Sequence, residues 1–367
     1  MVTDDRSWYD PNAFPELRDG PPWVMDEMIA AEPELVEAIV RTCDPDPVAA
    51  LLRADGRHLV VGCGTSEHAA LGIAAQLRDA GVDAVSEQAL ESRLHPSGAA
   101  ASVLAVSHEG GTWATEQKVA AARAAGTPTA LVTAEPAGSI APLVDALLVT
   151  PLRDRSWCHT VGYLSPLVAG AVLAASISGS GLDAGRLAEP VRRGLEQRAA
   201  AAAVAAALAE CDRLIVIGSG TDRIAARELT LKVEEACHLP TAMRELETML
   251  HGHLPATGPG TGLVLIDTDP EPGDRRRRTE TMLAACARVG IACAAIASAP
   301  VPAELVSAGA ITADRGRLSG AAASLLASAV PLQLLSLELA LARDRNPDLI
   351  RREQEPYRAA AAIVEGA

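Results

Sequence analysis

Short apolar runs separated by longer stretches of mixed polarity recur along the chain, and the same succession occurs twice. The first series is HLVVG at 58–62, AVS at 84–86, SVLAVS at 102–107, TALVT at 129–133 and ALLVT at 146–150. The second is RLIVIGSG at 213–220, GLVLID at 262–267, IACAAIA at 291–297 and the weaker AGAITA at 308–313. Runs this short and this continuously apolar suit strands buried on both faces, as in parallel sheets. Between them, helices are expected over 65–80, 113–125, 161–176, 223–238 and 322–342, with an Ala-rich connector helix over 196–210. Near the N-terminus, Val24, Met28, Leu35, Ile39 and Val40 keep roughly helical spacing over 23–43, with an interruption expected at Pro33.

Strands alternating with helices specify parallel sheets joined by right-handed crossovers. The expectation is an α/β protein of two tandem, doubly wound parallel-sheet subdomains, flavodoxin- or Rossmann-like and related by a pseudo-twofold. An N-terminal arm and helix would occupy 1–47, the first subdomain 48–195, the second 196–345 and a polar C-terminal tail 346–367. In such sheets ligands sit at the carboxyl ends of the strands.

Composition narrows the chemistry. At 367 residues and 49% hydrophobic, the chain can bury a large core built mainly of Ala, Val, Leu and Ile. A formal net charge of −15 argues against sequence-independent binding to nucleic acid or to anionic membranes. Lys118 and Lys232 are the only lysines, a bias read first as a matter of genome composition. None of the seven cysteines stands at CxxC spacing, the acidic N-terminus has no apolar core of a signal peptide, and no clean apolar run reaches membrane-spanning length. A cytoplasmic protein is expected, and no cofactor is called for.

The candidate chemistry lies in two turns and one helix. Gly62-Cys63-Gly64-Thr65-Ser66 and Ser107-His108-Glu109-Gly110-Gly111-Thr112 each follow a strand and start a helix. Glycines there let backbone N–H groups converge, hydroxyls add donors, and the helix N-terminus favours an anion. A single GxG turn is more often only a tight turn; two in one half of a duplicated sheet are more specific. In the second half, Lys232 and Glu235 stand at i,i+3 on one helix face. They could form a plain salt-bridge ladder with Glu228. A carboxylate in an apolar setting could instead serve as a general base at a sugar carbon. His251 and His253 flank a glycine without a third ligand at good spacing, so no metal site is expected. His238 reads as a helix C-terminal cation, and Arg275–Arg278 as a solvated charge run after a turn at 271–274.

The combination of GCGTS, SHEGGT and WCHTVGY resembles the phosphosugar-binding half of the sugar isomerase (SIS) domain superfamily. The stretch GSGTDRIAARELTLKVEEACHLPTAMRELETMLHGHLPA resembles the corresponding stretch of its second half. The likeness runs over about 56–345. It is similar to the isomerase half of glucosamine-6-phosphate synthase and to sugar-amine (fructosamine-type) deglycases. The resemblance implies that Glu235 shuttles a proton between C1 and C2, that Lys232 is the helix lysine, and that His251 takes part in ring opening, often across a dimer interface. It also implies substrate contacts from Gly64, Thr65, Ser66, Ser107, His108, Glu109, Gly111, Thr112 and Thr160, and a homodimer.

Departures from the pattern bear on the reaction. Glu109 stands where relatives carry a second phosphate-binding serine, and a carboxylate there would repel a phosphate unless it is paired or turned away. His159-Thr160-Val161 retains only the hydroxyl of a Ser/Thr-Lys pair. The tail offers Arg351 and Arg352 near the place of a synthase's catalytic lysine, and arginine is not a base. The chain has no N-terminal glutaminase half. The expectation is therefore an aldose–ketose isomerase, or a deaminase or deglycase of an amino-sugar phosphate, working through a C1–C2 enediol or enolamine. Its partner would be a sugar, amino-sugar or sugar-phosphate substrate. A non-catalytic sugar-phosphate-binding regulatory protein is the alternative, and a purely structural partner a third reading with little to recommend it.

Overall fold

The computed structural model describes residues 18, 20–95, 98–269 and 273–365. Most of the expected N-terminal arm, and part of the turn at 271–274, lie outside the described residues.

Helices α1 (Val24–Thr42) and α2 (Asp46–Leu52) lead into the first lobe. There β1 (His58–Gly62), α3 (Thr65–Asp79), β2 (Ala84–Gln88), α4 (Ala89–Leu94), β3 (Ser102–Val106), α5 (Trp113–Ala124), β4 (Thr129–Thr133) and β5 (Ala146–Val149) follow one another. Helices α6 (Val161–Ser178), α7 (Ala184–Leu195) and α8 (Arg198–Leu208) connect to the second lobe. That lobe holds β6 (Arg213–Ile217), α9 (Asp222–Cys237), β7 (Thr241–Arg244), the single turn α10 (Leu246–Thr248), β8 (Thr261–Asp267), α11 (Gly273–Val289), β9 (Ala292–Ala297) and β10 (Gly309–Thr312). Helices α12 (Gly320–Ala342) and α13 (Glu355–Glu365) complete the chain.

Both sheets are parallel and five-stranded, in the orders β2-β1-β3-β4-β5 and β10-β9-β8-β6-β7. The orders correspond strand for strand. Val60 faces Leu104 in the first, and Val216 faces Val264 in the second. Strands β1, β3 and β4 are buried along their whole length, which is what their uninterrupted apolar runs require.

The largest core lies between the sheets and is helical. α12 packs on α7, α8, α9 and α3, while α3 packs on α6 and α1 on α6 and α7. Helices α6 and α12 have the length and apolarity of membrane spans, yet both are mostly buried inside this layer. Two smaller cores lie on the outer faces, one between the first sheet and α5, the other between the second sheet and α11.

The differences from the sequence expectation have physical causes. Pro33 lies inside a continuous α1, its ring buried, because the packed apolar face holds the helix across the one missing hydrogen bond. Strand β7 is a four-residue edge strand, half-buried throughout, and so carries no apolar run to read. Helix α11 begins in the charge run yet buries Thr279, Met282, Leu283 and Cys286, a stripe at i, i+3, i+4 and i+7. The tail holds helix α13.

Candidate functional site

The order of each sheet reverses beside its first strand, which opens a crevice between β1 and β3 in the first lobe and between β6 and β8 in the second. In both lobes a glycine ends the first strand because the next helix presses on it. A Cβ at Gly62 would run into the Ser66 carbonyl, and one at Gly218 into the Asp222 carbonyl. Gly64 then turns at φ +56°, where an L side chain is strained.

The first crevice is lined by hydroxyls and helix starts. Ser107 Oγ lies 3.3 Å from Thr112 Oγ1, across the turn into α5. Ser107 is buried, whereas Gly111 and Thr112 are open to solvent. Glu109 points outward and sits 3.4 Å from the Arg153 guanidinium, which also lies 3.7 Å from Glu135. The carboxylate is therefore paired, which answers the repulsion that its place in the turn raised. His108 is buried, and its Nε2 accepts from the Asp154 N–H at 2.8 Å. Burial pushes its pKa down to about 4, so the ring is neutral and holds the following loop. Asp154 in turn accepts from the backbone N–H groups of Ser156, Thr160 and Gly162 at 3.1, 2.6 and 3.0 Å. Thr160 is wholly buried at the start of α6, and its hydroxyl has no partner among the described residues.

Facing this crevice, α9 carries a buried ionic chain. Glu228 and Lys232 have essentially no exposed surface. Glu228 accepts from Thr65 Oγ1 at 3.1 Å and from His68 Nδ1 at 2.7 Å. Lys232 Nζ lies 3.7 Å from Glu228 and 2.5 Å from Glu235. Burial works to raise the Glu228 pKa, but Lys232, His68 and Thr65 outweigh it and hold the carboxyl below its usual range. Burial works to lower the Lys232 pKa, and the charges of Glu235, Cys158 and Glu228 outweigh it, so the ammonium is held well into its charged state. The trio is thus a ladder, though a buried one, which differs from an exposed helix pair in cost and consequence.

Glu235 does not stand in an apolar setting. Its side chain is 26% exposed, pairs with Lys232, and opens into a groove of about 500 Å³. Across that groove lie His238, Ile350, Arg351 and Tyr357. Arg351 stacks on Tyr357 with its guanidinium 3.9 Å from the ring centroid, and Arg352 sits 4.7 Å over Trp157. The tail thus brings Arg351 to the groove. His238 is not the helix-terminal cation expected. Burial and the nearby Arg351, Arg345 and Arg343 push it down to about 4, so it caps α9 as a neutral ring at φ 52°.

His251 is not brought to Glu235 within the chain. It lies seven residues past β7, at the carboxyl end of the second sheet, 73% exposed and 3.1 Å from Glu247. Glu235 is thirteen residues into α9, about 20 Å down a helix that runs away from that end.

The second crevice holds an ion-pair cluster, beside a cavity of about 210 Å³ lined by Asp267, Thr268, Asp269 and Arg275. Arg275 is ion-paired with Asp222 and lies 3.2 Å from Asp267 and 3.7 Å from Asp269. Asp222 also accepts from the Thr268 and Asp269 N–H groups at 2.9 and 3.1 Å and from the Thr268 hydroxyl. Arg275 is only 13% exposed, so the charge run is solvated at its other three positions alone. Sequence reasoning passed over His68, Asp222 and Arg275. A histidine one turn past the Thr65 start of α3 was the available signal for His68.

The SIS domain family matches residues 207–343, from the end of α8 through α12. Among curated protein sequences none matches the chain. Among solved structures the likeness extends over both lobes. The C-terminal domain of glucosamine-fructose-6-phosphate aminotransferase from Francisella tularensis superposes with a TM-score of 0.75 at 18% identity, covering 90% of this chain and 99% of that one. Tagatose-6-phosphate ketose/aldose isomerase from Escherichia coli gives 0.76 at 18% identity, covering 90% and 95%. Glucosamine-6-phosphate deaminase from Thermotoga maritima gives 0.69 at 19% identity, covering 89% and 97%. The chain therefore shares its architecture with sugar-phosphate isomerases and a deaminase.

Proposed function

We propose that the protein is an enzyme acting on a sugar or amino-sugar phosphate through proton transfer between C1 and C2, with Glu235 as the transferring group. The observation that carries this reading is the buried Lys232 ammonium set against Glu235 at the edge of an open groove. A buried lysine between carboxylates is costly to keep, and such arrangements concentrate at functional sites. In this reading the Glu235 carboxylate takes the C2 proton of the open-chain aldose and returns it to C1. The O2 proton passes to O1 through the enediol, and the Lys232 ammonium offsets the charge that builds on the oxygens. The turns at Gly64–Ser66 and Ser107–Thr112 hold the far end of the substrate, with Thr112 and the start of α5 as the anion donors.

The separation of His251 from Glu235 within one chain supports a homodimer in which His251 of a second copy completes the site for ring opening. The seven free cysteines support a reducing, cytoplasmic compartment. Arg351 in the groove is a fixed cation, suited to orienting an oxygen and unsuited to proton transfer.

The test is exchange in D2O of the carbon-bound proton beside the carbonyl, followed by NMR at C1 of fructose 6-phosphate and at C2 of glucosamine 6-phosphate. Glu235→Gln is expected to lower the exchange rate by about 10²–10⁴-fold without loss of fold. Equal exchange by wild type and Glu235→Gln removes Glu235 from the role. A second reading, a sugar-phosphate-binding regulatory protein, is favoured by the distance of His251. Ligand-dependent thermal stabilisation without exchange in the concentrated dimer would establish it.

A further inference from the structure

We propose that His68 is a positioning residue for the Glu235 site: by occupying Glu228 it leaves the Lys232 ammonium to Glu235. The inference rests on the reading of Glu235 as the reacting group. Two carboxylates of α9 face one ammonium, and they share it unequally, at 2.5 Å for Glu235 and 3.7 Å for Glu228. Nothing in α9 explains that preference, since Glu228 is the more deeply buried and has no water to turn to.

The explanation lies in the other lobe. Both donors that satisfy Glu228, Thr65 Oγ1 and His68 Nδ1, come from the first turn of α3. An ionised carboxylate only accepts, so the hydrogen of this pair sits on Nδ1. With one oxygen taken by the hydroxyl and the other by the imidazole, Glu228 needs Lys232 only as a distant countercharge. Without His68, Glu228 Oε2 is a bare buried acceptor, and the nearest mobile donor is the Lys232 ammonium. The ammonium moves to Glu228, and Glu235 loses the contact that orients it. The helix that starts in the first-lobe turn thereby sets the arrangement of the group on the second-lobe helix.

Because Lys118 and Lys232 are the only lysines, ¹⁵N labelling of lysine side chains reads Lys232 directly, with Lys118→Arg assigning the other signal. In the wild type, Glu235→Gln is expected to shift the Lys232 Nζ signal more than Glu228→Gln does. In His68→Ala that order reverses. In His68→Asn, whose amide donates from nearly the place of Nδ1, the wild-type order returns. Exchange at C1 of fructose 6-phosphate is expected to fall about tenfold at saturation in His68→Ala, with half-saturation unchanged and with recovery in His68→Asn.

A Lys232 signal indifferent to His68→Ala, or equally displaced in His68→Asn, overturns the proposal. Should His68→Ala fail to fold, His68→Ala/Glu228→Gln leaves no bare carboxylate; it is expected to fold with Lys232 on Glu235, and an altered Lys232 partner there counts against the proposal. Absence of exchange in the wild type sinks the functional reading alone, since the lysine signals still decide the role of His68.

Discussion

The two crevices have the same topology and opposite contents. Between β1 and β3 the turns present hydroxyls and exposed N–H groups, and the one carboxylate in the turn, Glu109, is drawn outward to Arg153. Between β6 and β8 the corresponding space holds Asp222, Asp267, Asp269 and Thr268 around Arg275. Burial raises the carboxyls of Asp222 and Asp267 despite the guanidinium beside them, which is the mark of charges kept out of water at a cost. A doubly wound sheet supplies a place for a ligand, and side chains decide whether the place stays available. One crevice leaves its turn hydroxyls unclaimed by ion pairs, while the other serves as an internal clamp on the first turn of α9.

If that division is right, the largest effect on stability comes from the clamp. Arg275→Ala leaves Asp222 buried without its cation and is expected to lower the unfolding free energy by about 3–5 kcal/mol, measured by urea denaturation. A loss below about 1 kcal/mol makes the clamp an ordinary surface pair and breaks the contrast.

The open crevice predicts the reverse pattern. Ser107→Ala and Thr112→Ala each remove one donor to a bound anion, worth about 1.5–3 kcal/mol, or roughly ten- to hundredfold in affinity. Calorimetric titration with fructose 6-phosphate reads this directly, and urea midpoints stay close to wild type. Equal losses for fructose and its 6-phosphate would mean that these hydroxyls do not meet the phosphate.

The smallest effect is shared between the lobes. His108 in the first and His238 in the second both titrate near 4 in the folded chain, below the ordinary 6.5. Below pH 6.5 the unfolded chain takes up protons that the folded one refuses, so stability falls as the pH drops from 6.5 toward 4. Between pH 7 and pH 6 the loss is modest, from a few tenths to about 1 kcal/mol in all. His108→Gln and His238→Gln should each flatten that slope, and a slope unaffected by either moves the titration elsewhere.

The same contrast explains what could be read before the structure. The first crevice was legible because glycine and hydroxyl residues after buried strands have few other uses, and Thr65, Ser107 and Thr112 all line its turns. The second crevice was illegible because Asp267, Thr268 and Asp269 read as an ordinary polar turn, and because Arg275 was hidden among three exposed arginines. The strand runs located the sheets, since burial on both faces leaves no polar position. Edge strand β7 left no such trace. The 16-residue spacing from Glu235 to His251 resembled the family pattern, but spacing along a chain does not show that the two lie at opposite ends of a lobe. His68 offered only its place one turn into α3, because its meaning depends on Glu228 from another lobe.

Helix α12, buried along nearly its whole length against helices of both lobes, has a consequence for how the protein comes into being. It leaves the ribosome only after α3 and α9. Until it does, α3 and α9 have no cover on the faces it occupies, and a nascent first lobe waits with exposed apolar surface. Synthesis stopped short of residue 320 should therefore yield an aggregation-prone fragment rather than a usable half, and the cell sees this protein either entire or as a client of its chaperones.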